Sequence, residues 1–270
     1  MFDVKKRLKK VFRKSPTIHA FWWKEKKNFG DLLTPELVFK YGGIANWVPA
    51  SDTKLVGVGS LMHLIPQQFN GIFLGTGLIR DQKLEFPHAS FAAVRGELTK
   101  TNLGINKDTP TGDLGLLADR LISAAELSPQ YEIALVPHFV DFNHPWVDFI
   151  RKHCQTSVNI IDVRNSAEFV SKEISKCRRV YSSSLHGLIV ADSLGLPNVW
   201  IELSNKVIGD GFKFHDYNSS IDFTQYPVQV KPNMLPTEVD KGIAFKSRTT
   251  ILKKKEELNL ILGVIVNGSQ

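Results

Sequence analysis

The sequence predicts an α/β protein made of two small parallel-sheet domains that face each other across a cleft. Three observations lead there. Strand-like and helix-like segments alternate along the chain, as in βαβ units. Several strands are short apolar runs bounded by Gly or Pro, the pattern of buried parallel strands. The alternation breaks at Ser123–Gln130 (SAAELSPQ) and restarts at Tyr131 (YEIALVPH). In open α/β sheets ligands bind beyond the C-terminal strand ends, so a site is expected in the cleft.

In chain order, residues 1–18 form a basic amphipathic segment and 19–126 the first domain. Its strands are expected at His19–Trp23, Lys54–Val58, Gly71–Leu74 and Ser90–Val94. Its helices are expected at Thr34–Tyr41, Glu97–Leu103 and Leu114–Leu121. Residues 127–235 form the second domain, with strands at Glu132–Val136, Val158–Ile161, Arg179–Ser182 and Asn198–Glu202. Its helices are at Pro145–His153, Ser166–Lys176 and Leu185–Leu194. Residues 236–270 are a helical segment, with a charged helix over Lys246–Leu262 that could return onto the first domain.

Composition narrows the function classes. At 270 residues the chain can bury a sizeable core without staples. Two cysteines exclude a disulfide framework and a Cys-rich zinc module. No apolar run approaches the ~20 residues that span a bilayer, and no cleavable signal is visible. The net charge of +7 is concentrated in residues 1–14, which hold seven basic side chains and one acidic. The rest is nearly neutral, which argues against a nucleic-acid footprint. In that segment Val4, Leu8, Val11 and Phe12 recur at helical spacing among lysines, so it is either a peripheral membrane contact or a solvated helix.

Several strand-end turns carry candidate chemistry. Asn28-Phe29-Gly30-Asp31 precedes a helix; Asp31 is a candidate cap, and the turn offers N–H groups to an anion or hydroxyl. Gly57-Val58-Gly59-Ser60 and Gly75-Thr76-Gly77 permit close backbone approach, yet they lack a dinucleotide or Walker fingerprint and serve equally as plain turns. Arg95, at a strand end, either forks onto a carboxylate or phosphate or pairs with Glu97 or another local acid. Asp113 in Thr111-Gly112-Asp113 reads as a helix cap. His138 follows a buried strand, as a site or a structural histidine. Ser182-Ser183-Ser184-Leu185-His186-Gly187 runs from a strand into an apolar helix, with hydroxyls and one imidazole at a helix N-terminus that favours anions. Gly209–Tyr217 reads as a flexible cationic segment, with Lys213 suited to phosphate. The histidines lack metal-ligand spacing.

Taken in order, these motifs resemble the polysaccharide pyruvyl transferase family. The matching elements are NFGD at 28–31, the GVGS and GTG turns, VRGELT at 94–99, GD at 112–113, VPH at 136–138, SSSLHGLIVAD at 182–192, GLPNVW at 195–200 and FKFHDY at 212–217. The resemblance implies two facing Rossmann-like domains, similar to GT-B glycosyltransferases. It implies transfer of pyruvate from phosphoenolpyruvate to two hydroxyls of a sugar, forming a cyclic ketal. The acceptor would be a surface or extracellular polysaccharide or its lipid-linked precursor. No cofactor or metal is expected, and the location would be cytoplasmic, peripheral on the inner membrane face. Donor binding falls to Arg95, Ser184, Leu185, His186 and Lys213. His186 would be general acid or phosphate partner, and Asp31 would bind or deprotonate an acceptor hydroxyl. Asn28, Gly30, Gly59, Ser60, Gly77 and His138 would line the acceptor side of the cleft. Some members carry Arg two residues before the motif's histidine; that position is Ser184 here, which leaves the donor charge to Lys213 and Arg95. Two other readings stand beside this one: a glycosyltransferase using a sugar nucleotide, and a non-catalytic glycan-binding assembly subunit.

Overall fold

The computed structural model describes residues 15–123 and 129–268. The basic segment 1–14 and most of the break between the two halves lie outside them. The first half contains β1 (Thr17–Phe21), α1 (Phe29–Lys40), β2 (Ile44–Trp47), β3 (Leu55–Val56), β4 (Ile72–Thr76), β5 (Ser90–Val94), α2 (Glu97–Leu103) and a 3-10 helix (Leu114–Leu121). The second contains β6 (Tyr131–Val136), α3 (Pro145–His153), β7 (Val158–Ile160), α4 (Ala167–Ser175), β8 (Cys177–Ser182), α5 (Leu185–Leu194), β9 (Asn198–Glu202), α6 (Phe212–Ser220) and β10 (Val228–Gln229). A short α7 (Pro236–Val239) and the long α8 (Arg248–Asn267) close the chain.

The strands form two five-stranded sheets, β2-β1-β3-β4-β5 and β10-β9-β8-β6-β7, with every pairing parallel. Numbered from its own first strand, each sheet has the same order, 2-1-3-4-5. The direction of winding therefore reverses between β1 and β3, and again between β6 and β8. Loops leaving such a pair of strands diverge and open a crevice at their C-terminal ends.

One apolar core is shared by the two halves. It joins Leu33 and Leu37 of α1, Leu117 of the 3-10 helix, Val170 of α4, Ile189 of α5, and Leu258 and Leu262 of α8. The outer faces have separate cores, around Phe73 and Val94 in one sheet and around Trp146 and Tyr181 in the other. The terminal helix binds both halves. Tyr41 donates to Asn259 at 2.5 Å, and Lys255 donates to the Ser193 carbonyl at 2.8 Å.

Some local expectations are corrected. α1 begins at Phe29, not Thr34, and its cap is Asn28, whose side chain accepts from the Gly30 amide at 3.2 Å. Asp31 is therefore inside the first turn rather than the cap. The edge strands β2 and β10 add to the expected set. Gly209–Tyr217 is not a flexible segment: Gly209 and Gly211, at φ +100° and +78°, turn the chain into α6. Although α6 follows β9, it docks on the first half, against α2. There Asp216 accepts from the Thr99 amide and hydroxyl, both at 2.7 Å, and the Ser219 hydroxyl accepts from the Glu97 amide at 2.9 Å.

Candidate active site

The loops leaving β1, β3, β6 and β8, the four strands at the two reversal points, converge on one cavity of about 390 Å³. The β1 loop and α1 contribute Trp23, Lys26, Asn28 and Asp31. The turn after β3 contributes Ser60 and His63, and the loop after β6 contributes His138 and Phe139. Ser184, Leu185 and His186 come from the start of α5, and Lys206, Ile208 and Lys213 from the chain after β9.

The triple serine divides its work. The Ser182 hydroxyl bridges the Val136 and Ser184 carbonyls at 2.8 and 2.7 Å. The Ser183 hydroxyl donates to Asp141 and accepts from the His138 amide, both at 2.9 Å, which stitches the β6 loop to the β8 turn. Ser184 is the cap position of α5 but makes no side-chain cap bond. Its hydroxyl and the uncapped helix end line the cavity, where the helix dipole favours an anion.

His186, in the first turn of α5, is wedged between Phe29, edge-on at 6.2 Å between ring centroids, and the backbone of Gly30. Burial, followed by the nearby Lys213, Arg95 and His138, pulls its pKa down to about 3. His138 is pulled down to about 3 by burial and then Lys213. Both imidazoles are therefore held in the neutral form at pH 7. Burial raises Asp31 to about 7, with Lys213 opposing. Lys213 is lowered to about 8 by burial and Arg95, while Asp31 and Asp141 pull it back up. No hydrogen bond or ion pair to its amine is formed among the described residues, so it is a cation available to a ligand.

Arg95 departs from its expected role as a donor fork. It is fully buried behind the cavity wall rather than in it. Its Nε donates to Asp216 at 2.8 Å, its Nη1 to the Ser60 hydroxyl at 2.6 Å and its Nη2 to the Leu78 carbonyl at 2.5 Å. The ion-pair alternative holds, but the partner is Asp216 on α6 rather than Glu97. Gly59 and Gly77 likewise stay out of the cavity. Gly59, at φ +117°, accepts from the Thr76 hydroxyl, and a methyl group on Gly77 would meet the Arg95 guanidinium at 2.6 Å. Gly30 is the floor on which His186 rests. These glycines are packing turns, because side chains take the space a ligand would need.

The sequence reading missed Trp23, Lys26, Phe139 and Lys206, which carry no motif, and Asp216, whose partner is remote in sequence. It named Asp113 only as a cap, and the cap is there: its Oδ1 accepts from the Gly115 amide at 2.8 Å. The second carboxylate oxygen, Oδ2, lies 3.9 Å from His186 Nε2. Among the described residues no cluster of three or more His, Cys, Asp or Glu could hold a metal ion. No helix among them is long and apolar enough to cross a membrane.

Comparison with known proteins gives consistent relatives. A family model described as polysaccharide pyruvyl transferase matches residues 2–205. The succinoglycan biosynthesis protein ExoV of Rhizobium meliloti (strain 1021) is 26% identical over 240 residues, covering 83% of this chain and 71% of that protein. The uncharacterized protein L143 of Acanthamoeba polyphaga mimivirus is 30% identical over 210 residues, covering 73% of each. The crystal structure of AviGT4, a glycosyltransferase involved in avilamycin A biosynthesis, superposes with a TM-score of 0.40 at 12% identity, covering 81% of this chain and 76% of that one.

Proposed function

The chain belongs to the polysaccharide pyruvyl transferase family, and from the chemistry of its cleft we propose that it moves pyruvate from phosphoenolpyruvate onto two hydroxyls of one sugar, forming a cyclic ketal. The observation that carries this reading is the convergence of the unpaired Lys213 amine, the His186 imidazole and the Asp31 carboxyl on one cavity. A small, highly anionic donor fits beside Lys213 and the uncapped end of α5. The remaining space, edged by Trp23 and Phe139, suits the apolar face of a sugar.

The chemistry follows from these groups. Burial, and then the nearby cations, keep His186 neutral; a donor anion beside Lys213 offsets the cations and supplies a counter-charge that favours the imidazolium. His186 gives its proton to the donor's methylene carbon, leaving positive character on C2. The first sugar hydroxyl attacks C2 and its proton passes to Asp31. The bond from C2 to the phosphate oxygen breaks; Lys213 holds the departing phosphate, which takes the Asp31 proton. The second hydroxyl then attacks C2, and its proton restores His186. Two hydroxyl protons are lost, one reaching the new methyl group and one the phosphate.

The acceptor in this reading is a glycan of a surface or extracellular polysaccharide, or its lipid-linked precursor, and the basic residues 1–14 hold the enzyme at an anionic membrane surface. Co-sedimentation with anionic vesicles, lost on deleting residues 1–14 or in zwitterionic vesicles, is the expected result for that part.

The first test is thermal unfolding with phosphoenolpyruvate and with a panel of sugar nucleotides. A ligand that binds only the folded state stabilises it by ~2.7 kcal/mol at a hundredfold excess over its Kd. A rise with phosphoenolpyruvate that is absent in Lys213→Met supports the reading. A rise with a sugar nucleotide alone replaces it with glycosyl transfer.

A further inference from the structure

We propose that Asp113 is a positioning residue for His186: the two form a buried dyad in which a proton held between Asp113 Oδ2 and His186 Nε2 aims Nδ1 at the cavity. The inference rests on the reading of His186 as the proton-transferring group.

Two atoms carry it. Asp113 Oδ2 and His186 Nε2 are both sealed from solvent, and neither has a hydrogen-bond partner among the described residues. They are 3.9 Å apart. Buried polar atoms are nearly always satisfied, so two orphans facing each other call for a common explanation. A movement of roughly 1 Å closes them to hydrogen-bond range, and such bonds are often long before substrate arrives.

The residue type supports the same conclusion. As a cap, Asp113 needs only one oxygen, and Asn or Ser would serve as well. A fully buried carboxylate is the costliest way to cap a short helix. The Gly115 bond fixes the plane of the carboxylate, so Oδ2 is held toward the ring. Arg95 does not claim it, because its bonds run to Asp216, Ser60 and Leu78.

The dyad titrates as a unit. Lys213 from α6, His138 after β6 and Arg95 after β5 face His186. Arg95 and Asp216 face Asp113, and Tyr217 of α6 lies within its field. With two protons on the pair, one lies between Oδ2 and Nε2 and the other is on Nδ1, ready to move to the donor's methylene carbon. With one proton on the pair, it stays between Oδ2 and Nε2, and the Nδ1 lone pair accepts the proton of the second sugar hydroxyl. Asp113 thereby lets one nitrogen act first as acid and then as base.

Asp113→Asn separates this from a structural role. The Asn oxygen keeps the Gly115 cap, but its amide donates to Nε2 and forces the neutral ring to carry its proton on Nδ1. Turnover is expected to fall about 100-fold or more, with the thermal shift by phosphoenolpyruvate retained. A second readout needs no turnover and no variant fold: ¹⁵N NMR of the His186 ring in the unaltered chain at about pH 9, where a carboxyl titrating near 7 is ionised. The expected tautomer there is Nε2–H; the Nδ1–H tautomer overturns the proposal. Asp113→Asn with unaltered turnover and pH profile also overturns it. Normal turnover in His186→Gln sinks the reading of His186 itself. An inactive His186→Gln beside a fully active Asp113→Asn sinks the dyad alone.

Discussion

A methyl group on Gly30 would sit 2.0 Å from His186 Nδ1. The first turns of α1 and α5, one from each half, are packed so closely that only hydrogen fits between them. Gly30→Ala must therefore push the imidazole off its seat or part the two helices. Turnover should fall by at least tenfold, since small misplacements of a reacting group cost heavily. Steady-state kinetics beside a melting curve will separate the two effects: kcat is expected to fall further than stability does.

Lys213 offers its charge to a ligand because no hydrogen bond or ion pair among the described residues takes it; its amine lies 5.6 Å from the centre of the Phe214 ring. Lys213→Met keeps the length of the stem and removes the charge. A hydrogen bond to a charged group contributes roughly 1.5–3 kcal/mol, or about 10- to 150-fold in Kd. Titration calorimetry with phosphoenolpyruvate should show a loss in that range. Unchanged affinity would remove Lys213 from the donor site.

Replacing His186 with Ala should lower turnover about 100-fold or more if it carries the proton. Burst-free, near-normal turnover in that variant would transfer the role to Asp31, the cavity carboxyl that burial raises to about 7.

Asp31 gives stability a pH dependence of known sign. Burial raises its pKa from 3.8 to about 7, so the folded state binds a proton that the unfolded state has lost. Its stabilising contribution is fully present below pH 3.8 and is lost as pH rises through 7. Asp31→Asn removes that loss. Chemical denaturation between pH 4.5 and 8 should show the variant gaining on the unaltered protein as pH rises. The gain is at most on the order of 1.4 kcal/mol per pH unit. A difference that is flat with pH would mean that Asp31 is ionised throughout.

Arg95 and Asp216 predict the opposite kind of effect. Both are fully buried, with Nε to Oδ2 at 2.8 Å. Removing one partner leaves an uncompensated buried charge, which costs about 3–5 kcal/mol. Arg95→Met and Asp216→Asn should both lower the unfolding midpoint. The pair combined should cost less than their sum, and a double-mutant cycle measures the difference.

Much of this was legible in the sequence, for identifiable reasons. α2, α3 and α5 lie where expected because local signals bound them: Gly104 and Gly195 end α2 and α5 in the left-handed region, and Pro145 opens α3. The switch-point loops were readable because Gly, Ser and Asn cluster at strand ends. β10 is two residues long and leaves no pattern. α6 was read as loop because Gly209 and Gly211 precede it and its FKFHDYNSS run has few strong helix formers. Its helix depends on burying Asp216 against Thr99 and Arg95 of the first half, Phe214 against Trp200 and Tyr217 against Asp192 of the second, tertiary effects with no local signature. The Arg95 partner was missed for the same reason, since Asp216 is 121 residues away.

That separation bears on how the protein is made. A ribosome releases residues 19–126 long before α6 has been synthesised. Until it has, Arg95 has no counterion at its destination, and Thr99 lacks the carboxylate that takes its amide and hydroxyl. Leu258 and Leu262, which complete the shared core, arrive later still. The first half therefore lacks these contacts until the chain that follows it is made. A release factor or stall before residue 216 would leave an exposed apolar surface rather than a finished domain. The two sheets repeat one strand order, yet each depends on the other to complete its fold.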